Sequence, residues 1–177
     1  MKEALLVVDV QNDVVNNAWN KDNVISTIKE VIKKARDRKI PIIWVQHNDD
    51  YLLKNTEGWN IVSELVPMNG DYHIYKEWGD AFVNTPLKAY LEELGVTDIV
   101  LVGAQSDACI RMTKHGCVNR GYPVRLVAEG HTTEATRFGE YMFSGEYIIA
   151  WENKMAWNTS LPGASSSLVN FKDLWNE

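Results

Sequence analysis

The sequence predicts an α/β domain of three layers, with helices on both faces of a mainly parallel central sheet. Three observations predict it. The run from Ala4 to Val10, interrupted only by Asp9, is apolar without alternation, as in a strand buried on both faces. Such runs alternate along the chain with stretches of helical spacing, the pattern of βαβ units. The length, 177 residues with 45% apolar and 24% charged side chains, suits one globular domain with a substantial core. Residues 1–177 are therefore read as a single domain.

The elements follow in order. Ala4 to Val10 is the first strand. From Asp22 to Lys39, the residues Val24, Ile25, Ile28, Val31, Ile32 and Ala35 fall on one helical face, and Asp22 is a candidate cap. Pro41 to Val45 is a second strand. His47 to Asp71 is irregular, polar and aromatic, and is expected to form a long loop or lid. Tyr72 to Lys76 is a short third strand. Asn84-Thr85-Pro86 opens a helix that carries Leu87, Tyr90, Leu91 and Leu94, with Gly95 as its stop. Ile99 to Val102 is a fourth strand, and small residues lead from it into a helix from about Asp107 to Arg120. Val124 to Ala128 is a fifth strand. Glu134 to Ala156 is expected to be mostly helical, bent around Gly139 and Gly145, and a last strand is expected at Leu168 to Phe171.

The net charge of −6 argues against nucleic acid and against an anionic membrane surface. No apolar run is long enough to span a bilayer. The N-terminal stretch reaches Asp9 without the apolar core and small-residue cleavage site of a signal peptide. The expected address is the cytoplasm. The two cysteines, Cys109 and Cys117, would be separated by roughly 12 Å of rise on one helix. That is too far for a disulfide, which needs Cα atoms within about 7 Å, so each thiol is explained alone.

In a parallel α/β sheet, ligands bind beyond the carboxyl ends of the strands. Polar residues at those ends are the suspects. Asp9 closes the first strand, Lys76 closes the third, and Cys109 follows the fourth at the start of a helix. Backbone N–H groups there favour a thiolate and can hold an oxyanion. A lysine ammonium nearby would lower the thiol pKa further. A carboxylate could accept and return the proton. Each residue also has a structural reading: a small core cysteine, a strand-end cap, a surface lysine. Their shared position at one edge of the sheet favours the functional one. Cys109 is accordingly expected to be an unusually acidic thiol.

Three stretches carry a resemblance. They are Leu6-Val7-Val8-Asp9-Val10-Gln11-Asn12-Asp13, Lys76-Glu77-Trp78-Gly79-Asp80-Ala81-Phe82, and Val102-Gly103-Ala104-Gln105-Ser106-Asp107-Ala108-Cys109-Ile110-Arg111. In this order, on these elements, the chain resembles the isochorismatase-like cysteine hydrolases from about Ala4 to Trp157. The resemblance implies the Rossmann-like three-layer fold of that family and an Asp9–Lys76–Cys109 triad. It also implies a cis peptide between Ala104 and Gln105, and an oxyanion hole from the backbone N–H groups of Gln105 and Cys109. The implied activity is cleavage of an amide, lactam or ureido C–N bond of a small molecule through a cysteine thioester. Trp44-Val45-Gln46-His47 and Glu57-Gly58-Trp59 extend the resemblance toward the streptothricin-hydrolase-like branch.

Nicotinamidases of the family hold a metal on an Asp-x-His stretch after the second strand. This chain has Gln46-His47-Asn48-Asp49-Asp50-Tyr51 there. No metal and no cofactor are expected, although His47, Asp49 and His73 could form an adventitious metal site. Members that cleave the vinyl ether of isochorismate lack the nucleophilic cysteine, so Cys109 disfavours that chemistry. Trp19, Trp59 and Trp78 fall in loops near the expected site and, with Gln105, are candidate substrate-binding residues. His131-Thr132-Thr133 is read as a helix cap and Cys117 as core. The aromatic region from Tyr141 to Trp157 is the expected interface of a homo-oligomer, a dimer or tetramer. Two rivals remain: a non-catalytic binding or scaffold member of the fold, and a thiol-redox protein, which the lack of a nearby resolving cysteine disfavours.

Overall fold

The computed structural model describes residues 2–176. Five parallel strands form its centre: β1 (Glu3–Val8), β2 (Ile42–His47), β3 (Tyr72–Lys76), β4 (Asp98–Ala104) and β5 (Val124–Thr132). The sheet has seven strands in the order β3-β2-β1-β4-β5-β9-β8, where β8 is Ser160–Leu161 and β9 is Ala164–Val169. Only the short β8 runs antiparallel to its neighbour. The helices are α1 (Asn12–Val15), α2 (Lys21–Asp37), α3 (Leu87–Glu93), α4 (Arg111–Asn119) and α5 (Gly145–Ala156), and a π turn at Ser106–Ile110 precedes α4. Among the described residues no helix is long and apolar enough to cross a membrane.

The unbroken apolar runs are explained by burial on both faces. Alternate residues of β1 point to opposite sides. Leu5 and Val7 pack with Ile28, Val31 and Ala35 of α2. Ala4, Leu6 and Val8 pack with Leu87 and Leu91 of α3 and with Ile110 and Cys117. Fully burying one such aliphatic side chain contributes roughly 1.5–3 kcal/mol.

The strand order reverses between β1 and β4, which places a crevice at their carboxyl ends. Gly103 allows the two strands to meet there. It sits at φ +133°, and a Cβ at this position would lie 1.9 Å from the carbonyl oxygen of Val8. No other residue fits. The next peptide but one, Ala104–Gln105, is cis.

Three expectations are corrected. Residues 134–143 are not helical: Thr136–Phe138 (β6) and Tyr141–Phe143 (β7) form an antiparallel hairpin, with Gly139 at φ +58° in its two-residue turn. A turn that needs a positive φ suits glycine and stops a helix. His131 and Thr132 do not cap a helix but end β5, which is four residues longer than expected. The last strand begins at Ala164, earlier than Leu168, because Ser166 and Ser167 pair with β5 and Ser165 pairs with β8 despite their polar side chains. Ladder hydrogen bonds and the burial of Ser166 outweigh the weak strand propensity of serine.

The long segment after β2 carries no strand or helix from 48 to 71, apart from one bridge between Gln11 and Ile61. It is nonetheless fastened. The buried Gln11 side chain accepts from the His47 N–H (2.8 Å) and donates to the carbonyls of His47 (3.0 Å) and Trp59 (2.8 Å). Backbone bonds from Asn12 to Asn60, Asp13 to Gly58 and Val62 to Val10 complete the seam.

Candidate active site

Asp9 immediately follows β1, at φ +52°, and its N–H donates to Val45. A left-handed non-glycine residue costs roughly 1–3 kcal/mol and persists where the surrounding fold determines it. The turn directs the carboxylate across the sheet end toward β3, where Lys76 is the last residue. Lys76 is fully buried, with its Nζ 2.7 Å from Asp9 Oδ2, 3.1 Å from Cys109 Sγ and 3.3 Å from His47 Nδ1. An ammonium has three N–H donors and no acceptor, and here each has a partner.

His47 ends β2 and is paired in the ladder with Lys76. Its Nδ1 accepts from Lys76, so Nε2 carries the hydrogen and donates to Asp49 Oδ2 at 3.1 Å. Asp49 Oδ1 in turn accepts from the N–H groups of Tyr51 and Leu52. A chain of contacts thus runs from Asp49 through His47 to Lys76 and on to Asp9 and Cys109. From sequence alone His47 and Asp49 figure only as parts of an adventitious metal site with His73. His73 is exposed on β3 and stands outside this group. The ligand atoms of Asp9, His47 and Cys109 do lie within 4.8 Å of one another, but Lys76 Nζ touches all three. The positive charge they gather around is the lysine's. The signal for His47 was present in the sequence: it is a polar residue at a strand's carboxyl end, the same criterion that selected Asp9 and Lys76.

The electrostatics correct a further expectation. Burial pushes the Cys109 thiol up to about 12, the Asp9 carboxylate adds to the rise, and Lys76 opposes both without prevailing. Burial lowers the pKa of Lys76, but Asp9 and Cys109 together outweigh it and hold the ammonium above its usual value. The resting site is therefore an uncharged thiol beside an ammonium. The ammonium and the backbone dipoles of the helix start do not make this thiol acidic because it is desolvated and lies beside the Asp9 carboxylate.

A cavity of about 300 Å³ opens beside Cys109, and Asp9, His47, Asp49 and Gln105 are among its walls. The three tryptophans are placed elsewhere. Trp19 lines a separate cavity with α2, β5 and α5. Trp59 is buried with its ring against Tyr75, and its backbone carbonyl holds Gln11 and Gln46. Trp78 stands in solvent. Of the candidate substrate-binding residues, Gln105 alone reaches the cavity, where its Nε2 donates to the carbonyl of Val14 at 3.2 Å.

Beneath the π turn lies a buried network with no counterpart in the sequence reading. Asn153 on α5 donates to the carbonyl of Ala128, which leaves its Oδ1 to accept from His131 Nε2 at 2.8 Å. His131 Nδ1 then accepts from the Ser106 hydroxyl, also at 2.8 Å. Burial lowers the pKa of His131 to about 4, against weaker opposition from Asn153 and Glu152, so the ring is neutral. This network anchors the turn that presents Cys109 to the end of β5 and to α5.

The pattern of the isochorismatase domain matches residues 3–145. The chain belongs to the isochorismatase family. Its resemblance to a "Probable inactive nicotinamidase" of Arabidopsis thaliana is 31% identity over 159 residues, covering 75% of this chain and 81% of the relative. A streptothricin hydrolase of Streptomyces noursei is 28% identical over 138 residues, covering 74% of this chain and 54% of the relative. The crystal structure of an isochorismatase from Pseudomonas putida KT2440 superposes with a TM-score of 0.89 at 22% identity, over 97% of this chain and 89% of that one. This family chain thus combines the expected fold with relatives that differ in activity.

Proposed function

We propose that this isochorismatase-family hydrolase cleaves a C–N amide, lactam or ureido bond of a small molecule, with Cys109 as nucleophile, Asp9 as acid and base, and Lys76 as the fixed counter-charge. The observation that carries the reading is the contact of one buried ammonium with both the Asp9 carboxylate and the Cys109 sulfur, beside a cavity at the switch point of the sheet. The streptothricin hydrolase among the relatives supports a hydrolase reading.

The raised thiol pKa fits this role. Loss of the Cys109 proton to solvent would add a second negative charge beside Asp9. Transfer of that proton to Asp9 leaves the charge of the Asp9–Lys76–Cys109 unit unchanged. In the first step Asp9 takes the proton while sulfur attacks the carbonyl carbon, and the resulting oxyanion is held by the N–H groups of Gln105 and Cys109. The carbonyl re-forms, the C–N bond breaks, and Asp9 protonates the departing nitrogen. Water then gives a proton to Asp9 and adds to the thioester. The C–S bond breaks, the acid leaves, and the proton on Asp9 returns to sulfur.

The test is a panel of small amides, lactams and ureido compounds assayed for amine or ammonia release. Release by the wild type and a loss of roughly 10³-fold or more in a folded Cys109→Ala variant are expected. No release from any member would favour the non-catalytic reading, and near-normal turnover by Cys109→Ala would sink the triad assignment.

The exposed aromatic side chains Tyr141, Tyr147, Trp151 and Trp157 support a homo-oligomer that buries this face. Light scattering on micromolar protein should report a dimer or tetramer, and a monomer would refute it.

A further inference from the structure

We infer that the cavity beside Cys109 selects molecules that carry a cationic group, an ammonium or guanidinium, and that Asp13 and Asp49 recognise it. The inference deepens the hydrolase reading by naming its substrate class, and it rests on that reading only for the reaction.

Three carboxylates line the cavity, those of Asp9, Asp13 and Asp49, and no lysine or arginine does. The charge of Asp9 is offset by Lys76 at 2.7 Å. The other two are not offset. Asp13, on α1, makes no ion pair among the described residues, and its carboxylate occupies the space left free at Gly58. A Cβ on residue 58 would lie 1.9 Å from Asp13 Oδ2. Asp49 is held in place by the N–H groups of Tyr51 and Leu52 and by His47. The Tyr51 N–H, with smaller help from Leu52 and His47, keeps its carboxyl below the usual range, so it is ionised. Glu134, 3.4 Å from Gln105 Nε2, adds negative charge on the same side.

A second observation points to a ligand that brings N–H donors. Asp9 is fully buried and lines the cavity, and its Oδ1 has no hydrogen-bond partner among the described residues. A buried acceptor left unpaired costs about 1–3 kcal/mol, and a bound molecule with an N–H group would satisfy it. The amide nitrogen at Asp9 and a positive charge at Asp13 and Asp49 fit one small molecule in about 300 Å³. Carboxylate-bearing amides would face two uncompensated negative charges. Cavities lined by one sign of charge concentrate ligands of the opposite sign, and association rates change by roughly 10- to 10³-fold.

The experiment uses three methanethiosulfonates: the cationic trimethylammonioethyl, the anionic sulfonatoethyl and the neutral methyl reagent. In each, the Cys109 sulfur displaces methanesulfinate and forms a mixed disulfide. Rates at Cys109, followed by mass spectrometry, are divided by the rate of the same reagent with 2-mercaptoethanol. The cationic reagent should outrun the anionic one by at least about tenfold. The preference should shrink about three- to tenfold in Asp13→Asn and in Asp49→Asn, and also at high salt. It should be unchanged in Glu30→Gln, an exposed acid on α2. Asp13→Asn alters an exposed, unpaired group, so its folding is not at issue. A ratio near or below one in the wild type, a ratio untouched in both variants, or failure of every reagent to reach Cys109 overturns the inference. Charge preference without amine release from the amide panel keeps the selectivity and rejects the hydrolase reading. Amine release that is equal for matched cationic, neutral and anionic amides does the reverse.

Discussion

Two fully buried lysines, one touching the π turn and one on the helix that follows it, have opposite fates. Lys76 meets three acceptors, the nearest 2.7 Å away, and its ammonium is held above the usual pKa. Lys114 faces Glu152 at 3.5 Å and makes no hydrogen bond among the described residues. Arg111 occupies the other oxygen of Glu152. Burial dominates at Lys114 and lowers its pKa, with only partial relief from Glu152. The same pair of residue types, lysine and carboxylate, thus gives a firm charge in one place and an undersatisfied one in the other. What decides is how many acceptors surround the nitrogen. A buried charge needs several partners at hydrogen-bond distance, and one distant carboxylate is not enough.

The largest expected effect is on turnover. Lys76→Met should lower amine release by roughly 10²–10³-fold, the usual cost of removing one aligned polar group from a site. Lys114→Met should leave it within about threefold. Equal losses in the two variants would break the comparison and move Lys114 into the machinery.

Stability should separate them next. Lys76→Met leaves the buried Asp9 unpaired and should cost about 3–5 kcal/mol in urea unfolding. Glu152 keeps Arg111 when Lys114 becomes Met, so that change should stay within about 1 kcal/mol of wild type. A Lys114→Met variant as unstable as Lys76→Met would mean that Lys114 is better partnered than its geometry indicates.

The cluster around Glu152 also includes His131, whose folded pKa of about 4 lies below its unfolded value of 6.5. The unfolded chain therefore takes up the proton first. Stability at this group is intact above pH 6.5 and falls as the pH drops toward 4, by up to about 3 kcal/mol. Unfolding midpoints measured from pH 7 to 4 should show the loss, and His131→Asn should flatten that part of the profile. An equally steep profile in His131→Asn would assign the loss to carboxylates.

The smallest effect concerns the two lysines in base. The lowered pKa of Lys114 means the unfolded state binds its proton more tightly, so this penalty is complete at neutral pH and vanishes as the pH rises toward 10.5. The raised pKa of Lys76 has the opposite sign: its stabilisation is complete below 10.5 and is lost above it. Stability curves of the two methionine variants, each relative to wild type, should therefore bend in opposite directions between about pH 9 and 11. Parallel curves would show that the two ammonium groups are equivalent.

The fold was legible because burial on both faces leaves an unmistakable apolar run, and β1, β2 and β4 all carry one. The tail was not, because Ser165-Ser166-Ser167 owes its strand to pairing with β5 and β8 rather than to propensity. Asp9, Lys76 and Cys109 were legible as polar residues at strand ends. His47 meets the same criterion, yet the sequence offers it only as part of an adventitious metal site with Asp49 and His73. The Ser106–His131–Asn153 network and the Lys114–Glu152 pair were not legible at all. Their partners lie 22 to 38 positions apart on elements whose faces only the packed structure defines.

The seam made by Gln11 bears on how molecules reach the thiol. One buried side chain joins the end of β2 to the loop at Trp59, and three backbone bonds hold the same loop against residues 10–13. Swinging that loop aside would break all of these hydrogen bonds together. The wall of the cavity at Asp49 and Leu52 therefore hangs between two moorings, the end of β2 and the seam at residues 58–62.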